Sequence, residues 1–598
     1  MPEPASPDGR WFASIVEGNI VLRGRIDGLS NPLTQDGTPE HGWDIEAGVR
    51  NPFSPDGQHL FALRVDRRAV RLHLCWHPLQ RDEQVSWVRF QRAGAALDVP
   101  EPHVVPVLGR APLPVRLPDG MGGFADSYVR LLGWSDNGRE VWFVRFDRLL
   151  SRADVFAASS RDGAARCVLS ETSSTWVRLQ HDVLWDGDCG FMLLPGGQGF
   201  IWLSDRDGFQ RPHAFAADGT PRGALVQQPP PGLVVHHIDG VDTAGGWLYF
   251  HAGAEPRPYD RHFWRVPLPG GPAQRLSEGE GIHDARLAPD RQSFVDRFSS
   301  LREPLRAELR SADGRLIAPL HTAGIGRLLA QGWLPPQECT VTAADGATPL
   351  HGVLYLPHGF DSAQRYPVIE YVYGGPQIHN LPGHFGGGGT DGSGGRVERF
   401  VQALAQCGFV TLVLAARGTP GRGKVFQDAA YRSWSDHVVA DHAGALAQLA
   451  QTRPWLDTTR VGVFGRSWGG YFSFRFLAER PDTYHAAVSI VPGFDPYAGI
   501  LYEPYLGMPG DDAAPYEAAS PFHLAAGLRG ALMLVGGTRD FATIGDVMKM
   551  ADALVQAQVH HELLLLPNQG HYATGVAADF ADREVLRFFR AQLSPGKA

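Results

Sequence analysis

The spacing of apolar positions changes character about halfway along the chain. Up to about residue 325, short runs alternate apolar and polar residues, and Gly, Asp and Pro interrupt them at close intervals. A period of two buries one face of a strand, and the interruptions supply the reversals between strands. One phrase recurs at those reversals: SPDGRWFAS from residue 6, SPDGQHLFALR from 54, SDNGREVWFVR from 135 and APDRQSFVDRF from 288. PGGQGFIWLSDRDG at 195 and TAGGWLYFHA at 243 keep the same form. Repeats of roughly 45 to 80 residues, the longer ones skipping a degenerate unit, suit the blades of a β-propeller. A β-sandwich with similar hairpins is the alternative.

From about residue 330 the period changes. The runs YPVIEYVYGG, GFVTLVLAARG, TRVGVFG, GALMLVGGT and HELLLLP read as buried strands. Helix-length amphipathic stretches separate them, namely VERFVQALAQC, VVADHAGALAQLAQ and IGDVMKMADALVQAQ. This alternation predicts a mostly parallel sheet covered by helices. The expected organisation is a β-propeller at 1–325 and an α/β domain at 326–598, and 598 residues suffice for a core in each.

Composition narrows the function classes. With 43% hydrophobic and 20% charged residues and a net charge of −9, the chain reads as a globular protein with no device for nucleic acid or anionic membranes. Nearly all positive charge is arginine, since lysine occurs only at Lys424, Lys549 and Lys597. Cys75, Cys167, Cys189, Cys339 and Cys407 are odd in number and widely spaced, which argues against a disulfide framework or a zinc site. No apolar stretch approaches the ~20 residues needed to span a bilayer. MPEPASPDGR lacks the form of a signal peptide, so the expected location is cytoplasmic, or periplasmic if a leader has been removed.

Chemistry concentrates in the second half. Gly465-Arg466-Ser467-Trp468-Gly469 fits G-x-S-x-G between a strand and a helix, the setting of a nucleophile elbow. A serine needs a base to take its proton and an acid to orient that base. Asp540, after ALMLVGGTRD, and His571, in LLLLPNQGHY, follow in the order of an α/β-hydrolase, each just past a strand. Asp546 and Asp552 are rival acids, expected to face solvent from the following helix. His560 and His561 are rival bases, placed at the wrong end of a strand. The oxyanion needs donors, expected from the Trp468 backbone N–H and from the Tyr373 phenol at the end of the VYGGP strand.

Together VYGGP, AARGTPGRG, GRSWGGY, GTRD and QGHY, behind a propeller that carries FIWLSDRDGFQRPHAF, resemble the prolyl oligopeptidase family of serine peptidases, in its dipeptidyl peptidase IV branch. The resemblance implies an α/β-hydrolase capped by a propeller, with the site in the cavity between them and access limited to peptides. It assigns Ser467 as nucleophile, His571 as general base, Asp540 as its orienter, and Tyr373 with the Trp468 N–H as oxyanion hole. It also implies that Val491, Phe494 and Tyr497, with Trp468, form an apolar pocket for proline or another small residue before the scissile bond.

Departures from the family's pattern bear on the substrate. The branch holds the substrate amine with adjacent glutamates on a propeller helix. Here HGWDIEAGVRNPFSPDG offers Glu46 alone, in a shortened segment. Ala542 stands where the family has an asparagine, and Leu501 where its pocket has a further tyrosine. The propeller also begins without the N-terminal segment that packs on the hydrolase in relatives. The leading expectation is a serine peptidase releasing N-terminal dipeptides with Pro or Ala before the cut. Its alternatives are an endopeptidase, isopeptidase, acylaminoacyl peptidase or esterase of the same fold, and an inactive propeller binding module. Peptide substrates are the expected partners, and a homodimer is kept as a candidate assembly. HFGGGGTDGSGG lacks G-K-[ST] and reads as a loop beside the site. Arg417 reads as a site-organising residue, His236 and His237 lack further ligands at metal spacing, and no metal or cofactor is expected.

Overall fold

The computed structural model describes residues 3–26, 28–45, 50–77, 79, 81–82, 84–177, 189–386 and 395–593, apart from the side chain of Glu398. Among the described residues, the first half forms six successive antiparallel meanders. They comprise strands within 11–32, 41–114, 127–172, 191–224, 234–275 and 282–322. The last two meanders touch through one parallel bridge, Arg261 to Ile282.

The recurring turn phrase builds the same loop each time. Ser6 Oγ donates to Asp8 at 2.6 Å and accepts the Trp11 N–H at 3.0 Å. Ser54 does the same with Asp56 and His59, at 2.6 and 3.0 Å. Ser135 with Asn137 and Glu140 repeats it at 2.9 and 3.0 Å. The next position needs a left-handed backbone, which Gly9, Gly57 and Gly138 adopt at φ 69°, 67° and 66°. In the fourth copy Arg291 takes that conformation at φ 60°, an uncommon one for a residue with a Cβ.

One hairpin leaves this pattern. Leu72–His77 and Gln84–Arg89 pair only with each other. Leu72, Leu74, Trp76, Val85 and Trp87 share one face by alternation and are exposed.

In the second half, eight strands form one sheet: Gln337–Thr342, Pro349–Tyr355, Val410–Ala415, Tyr366–Tyr371, Leu456–Arg466, Ala486–Ile490, Ala531–Gly537 and Glu562–Leu566, in spatial order. The first two pairings are antiparallel and the rest parallel. Helices Arg396–Gln406 and Gly575–Leu593 cover one face through Val401, Leu404, Phe588 and Phe589. Trp434–Thr452, Trp468–Glu479 and Ile544–Gln556 cover the other through Leu446, Phe472, Phe476 and Val547. Glu370, fully buried in a central strand, is satisfied by His442 at 2.8 Å and the Tyr484 hydroxyl at 2.7 Å.

The two halves share a continuous apolar cluster. Trp176 meets Tyr505 edge-on at 5.3 Å, and the Lys424 ammonium lies 5.4 Å from the Trp176 ring centre. Lys424 also donates to Thr175 Oγ1 at 2.8 Å and to the Trp176 carbonyl at 3.0 Å. Arg148 of the first half reaches Glu503 of the second with two 2.7 Å bonds, and the Gly94 N–H adds a third at 2.7 Å. Glu503 is 0% exposed.

Candidate active site

Ser467 joins the strand Leu456–Arg466 to the helix Trp468–Glu479 at φ 57°, ψ −115°, a strained conformation for a serine. The surrounding glycines make that turn possible. A Cβ on Gly465 or Gly469 would come within 2.2 or 2.1 Å of the Val372 carbonyl oxygen, and one on Gly470 within 2.5 Å of that of Ile490. The Ser467 N–H donates to Ile490 O at 2.9 Å, which fixes the turn against the neighbouring strand.

Two neighbouring strand ends bring Asp540 and His571 together. His571 Nδ1 lies 2.7 Å from Asp540 Oδ2, and the Thr543 hydroxyl donates to the same oxygen at 2.5 Å. Burial alone would raise the Asp540 carboxyl. The bond and charge of His571, with the Thr543 and Ala542 donors, outweigh it and hold the group below the ordinary carboxylate range. Arg466 donates to the His571 carbonyl, and its guanidinium carbon lies 3.5 Å from the centre of the Tyr572 ring. The residue before Ser467 thus braces the loop of the candidate base.

The rival groups fall elsewhere. Asp552 is exposed, and His560 and His561 precede the strand whose far end carries His571. Asp546 departs from expectation: it is buried beneath residues 494–495 rather than facing solvent, and it accepts the Asp495 N–H at 2.9 Å. Burial first, and then the Asp495 charge, push its carboxyl up to about 7 against the pull of Lys549 and two backbone N–H groups.

Trp468 opens its helix, where backbone N–H groups have no intrahelical acceptor. Tyr373 lies just past the strand Tyr366–Tyr371. Gln377 Nε2 donates to its hydroxyl at 2.9 Å, which fixes the position of the phenol oxygen. Gly375 leaves room for this grouping, since a Cβ there would sit 2.7 Å from Tyr373 Cε1 and 3.1 Å from Trp468 Cγ.

The expected pocket residues separate. Val491 is buried at φ 41° directly after the strand beside the elbow. The Phe494 ring is fully buried and packs on Phe474 and Phe522, with centroids 5.3 and 6.2 Å away. Tyr497 is 38% exposed and stacks at 4.8 Å on Tyr516. Tyr502, which sequence reasoning did not select, lies 5.4 Å from Trp468 and 5.2 Å from Trp434. A short 3-10 turn over Ile500–Tyr502 brings Tyr502 rather than Leu501 onto Trp468. Glu46 lies outside the described residues, as do 387–394 of the glycine-rich loop.

Fold and site define a hydrolase-type nucleophile elbow behind a bladed N-terminal half. Residues 3–305 match the family model described as the dipeptidyl peptidase IV N-terminal region, and residues 396–595 match the prolyl oligopeptidase family. The chain belongs to the prolyl oligopeptidase family, in the branch with the dipeptidyl peptidase IV N-terminal region. It is 26% identical over 428 residues to mouse dipeptidyl peptidase 8, covering 61% of this chain and 45% of that protein. It is 22% identical over 592 residues to venom dipeptidyl peptidase 4 of Vespula vulgaris, covering 93% and 73%. Among solved structures, dipeptidyl peptidase 4 of Porphyromonas gingivalis superposes with a TM-score of 0.86 at 22% identity, over 99% of this chain and 83% of that one. The fold is therefore a β-propeller followed by an α/β-hydrolase. The chain spans about half the length, 45%, of the first of these relatives.

Two remaining candidates resolve by their contacts. Arg417 forks onto Asp441 at 2.9 and 2.7 Å and also reaches Asp345 at 3.1 Å. His237 does have ligand-type neighbours that spacing alone concealed, because Asp239 and His251 bring their donor atoms within 4.8 Å of it and of one another. His251 Nε2, however, accepts the Ala285 N–H at 3.1 Å, so Nδ1 carries the proton given to Asp239 at 2.7 Å. A metal on Nδ1 would force a proton onto Nε2, facing that N–H. The trio is a hydrogen-bond chain.

Proposed function

We propose that this protein is a serine peptidase that forms an acyl-enzyme at Ser467. His571 acts as general base and then general acid, and Asp540 holds its tautomer and stabilises the imidazolium. The Trp468 N–H and the Tyr373 hydroxyl receive the oxyanion. The observation that carries this reading is the 2.7 Å bond between His571 and Asp540 at strand ends beside a serine held at φ 57°. Trp468 with Val491, Tyr497 and the ring of Tyr502 bounds the pocket for the residue before the cut, while Phe494 supports it from the core. The products are N-terminal dipeptides with Pro or Ala in second place. Labelling by a fluorophosphonate probe, absent in Ser467→Ala, tests the mechanism, and an unlabelled native protein would refute it.

A second reading rests on Glu46, which Ala47 and Gly48 follow where the branch has adjacent acids. One carboxylate selects an ammonium less strictly than two, which favours an endopeptidase, isopeptidase or acylaminoacyl peptidase. Turnover of Gly-Pro and N-blocked Gly-Pro chromogenic substrates separates the two, since equal rates exclude amine recognition.

We also infer a domain boundary near 325, between the strand ending at Thr322 and the one beginning at Gln337. The five free thiols support a reducing, cytoplasmic setting. No helix among the described residues is long and apolar enough to cross a membrane. The exposed apolar face of the hairpin at 72–89 supports a homodimer. Sedimentation of Trp76→Ser/Trp87→Ser beside the native protein tests it.

A further inference from the structure

Asp546 is a carboxylate buried between two functional segments. Its helix, Ile544–Gln556, starts directly after the loop of Asp540, and the Ile544 N–H bonds the Asp540 carbonyl at 2.9 Å. On its other side lies the stretch that follows Val491, where the carboxylate accepts the N–H of Asp495 at 2.9 Å. Asp495 in turn caps the next turn by accepting the Tyr497 N–H at 3.0 Å. Lys549, one turn along the helix, holds Asp495 at 2.6 Å and lies 3.9 Å from Asp546. The Tyr502 phenol completes the surroundings. Burial first, and then the charges of Asp546 and Asp495, push this phenol well above its ordinary value. His523, on the turn packed against the same helix, is exposed.

A neutral or apolar residue would fill this space at lower cost, since a buried ion is paid for in desolvation. What the charge adds is a strong acceptor for the Asp495 backbone N–H in a segment with no regular secondary structure. We propose that Asp546 is a positioning residue for substrate selection: its carboxylate pins Phe494–Tyr497 to the helix of the catalytic aspartate, and loss of its charge loosens that pocket wall. The inference rests on the serine peptidase reading and deepens it.

Protonation weakens the acceptor. The carboxyl changes charge near neutral pH because burial and the Asp495 charge oppose the donors that favour ionisation. The wall is therefore held above about pH 7 and slackens below it, which raises KM while leaving the acyl-transfer groups in place.

The test is steady-state turnover of Gly-Pro-p-nitroanilide from pH 6 to 8.5 by the full-length native protein, Asp546→Asn and Lys549→Met. Dividing one KM profile by another cancels every pH effect that all three proteins share. The native KM should fall about fivefold to tenfold from pH 6 to 8.5 relative to Asp546→Asn, with kcat of the two within about twofold. Lys549→Met removes a favourable charge from a half-exposed position, so its KM transition should move to higher pH. Parallel native and Asp546→Asn profiles, or a Lys549→Met transition that stays in place, overturn the inference alone. A native protein that turns over none of the substrate and takes no fluorophosphonate label overturns the peptidase reading with it.

Discussion

Replacing Tyr373 by Phe removes one oxygen and leaves the ring that packs beside Gly375 and Trp468. Two costs follow, and they separate. The first is catalytic. A donor to the oxyanion contributes about 2.7–4 kcal/mol, or about a hundredfold to a thousandfold in kcat, with little change in KM because the ground-state carbonyl uses it weakly. The second is structural. Gln377 Nε2 loses the acceptor it reaches at 2.9 Å, and for this half-buried amide the lost bond costs about 0.5–1.5 kcal/mol of stability. Tyr373→Phe/Gln377→Leu removes both partners and should recover most of that stability without recovering activity. The assay combines kcat and KM on a chromogenic dipeptide substrate, the second-order rate of fluorophosphonate labelling, and thermal unfolding. A kcat loss below about fivefold in Tyr373→Phe, or activity restored by the double substitution, would refute the donor role.

Three further outcomes are expected. Gly465→Ala places a Cβ 2.2 Å from Val372 O and 2.5 Å from Gly469 O, both main-chain atoms, and should cost about 3 kcal/mol or more; a native melting temperature would contradict the close-packed elbow. Arg148→Met strands the buried Glu503 carboxylate at a cost of about 3–5 kcal/mol, and adding Glu503→Gln should return part of it in a denaturation cycle, whereas strictly additive losses would show that the pair does not interact. Asp546 keeps its proton to about pH 7 when folded but gives it up near 4 when unfolded. Its contribution to stability is therefore present at acid pH and lost between about pH 4 and 7, so Asp546→Asn should gain melting temperature relative to the native protein on going from pH 5 to 8, and no relative change would count against the buried charge.

What could be read from the chain depended on how local its cause was. The turn phrase announced its loops because in three of its four copies the serine, the acid or amide, and the glycine that build the loop lie within a few residues. Ser467, Asp540 and His571 were legible for a related reason: each follows an apolar strand run, and parallel strands deliver their ends to one edge. Asp546 was misjudged because helical phase says which residues share a side, not what folds over that side, and here the cover is the distant segment at 494–495. Tyr502 was missed because a 3-10 turn advances the chain differently from an α-helix. His251 meets His237 through antiparallel register, where the two are directly paired. Glu370 in VIEYVY finds His442 and Tyr484 only once helices and strands are assembled.

The bond between Arg148 and Glu503 places a constraint on how the two halves can move apart. Glu503 sits between Tyr502, which lies on Trp468, and Tyr505, which lies on Trp176 of the first half. The segment that carries Tyr502 is thus tied to the N-terminal half. Any hinge motion that parts the two halves pulls on that segment, so under the proposed peptidase function admission and recognition would be one mechanical event. Substitutions in the blades far from Ser467 then have a route to change which residue is accepted before the cut.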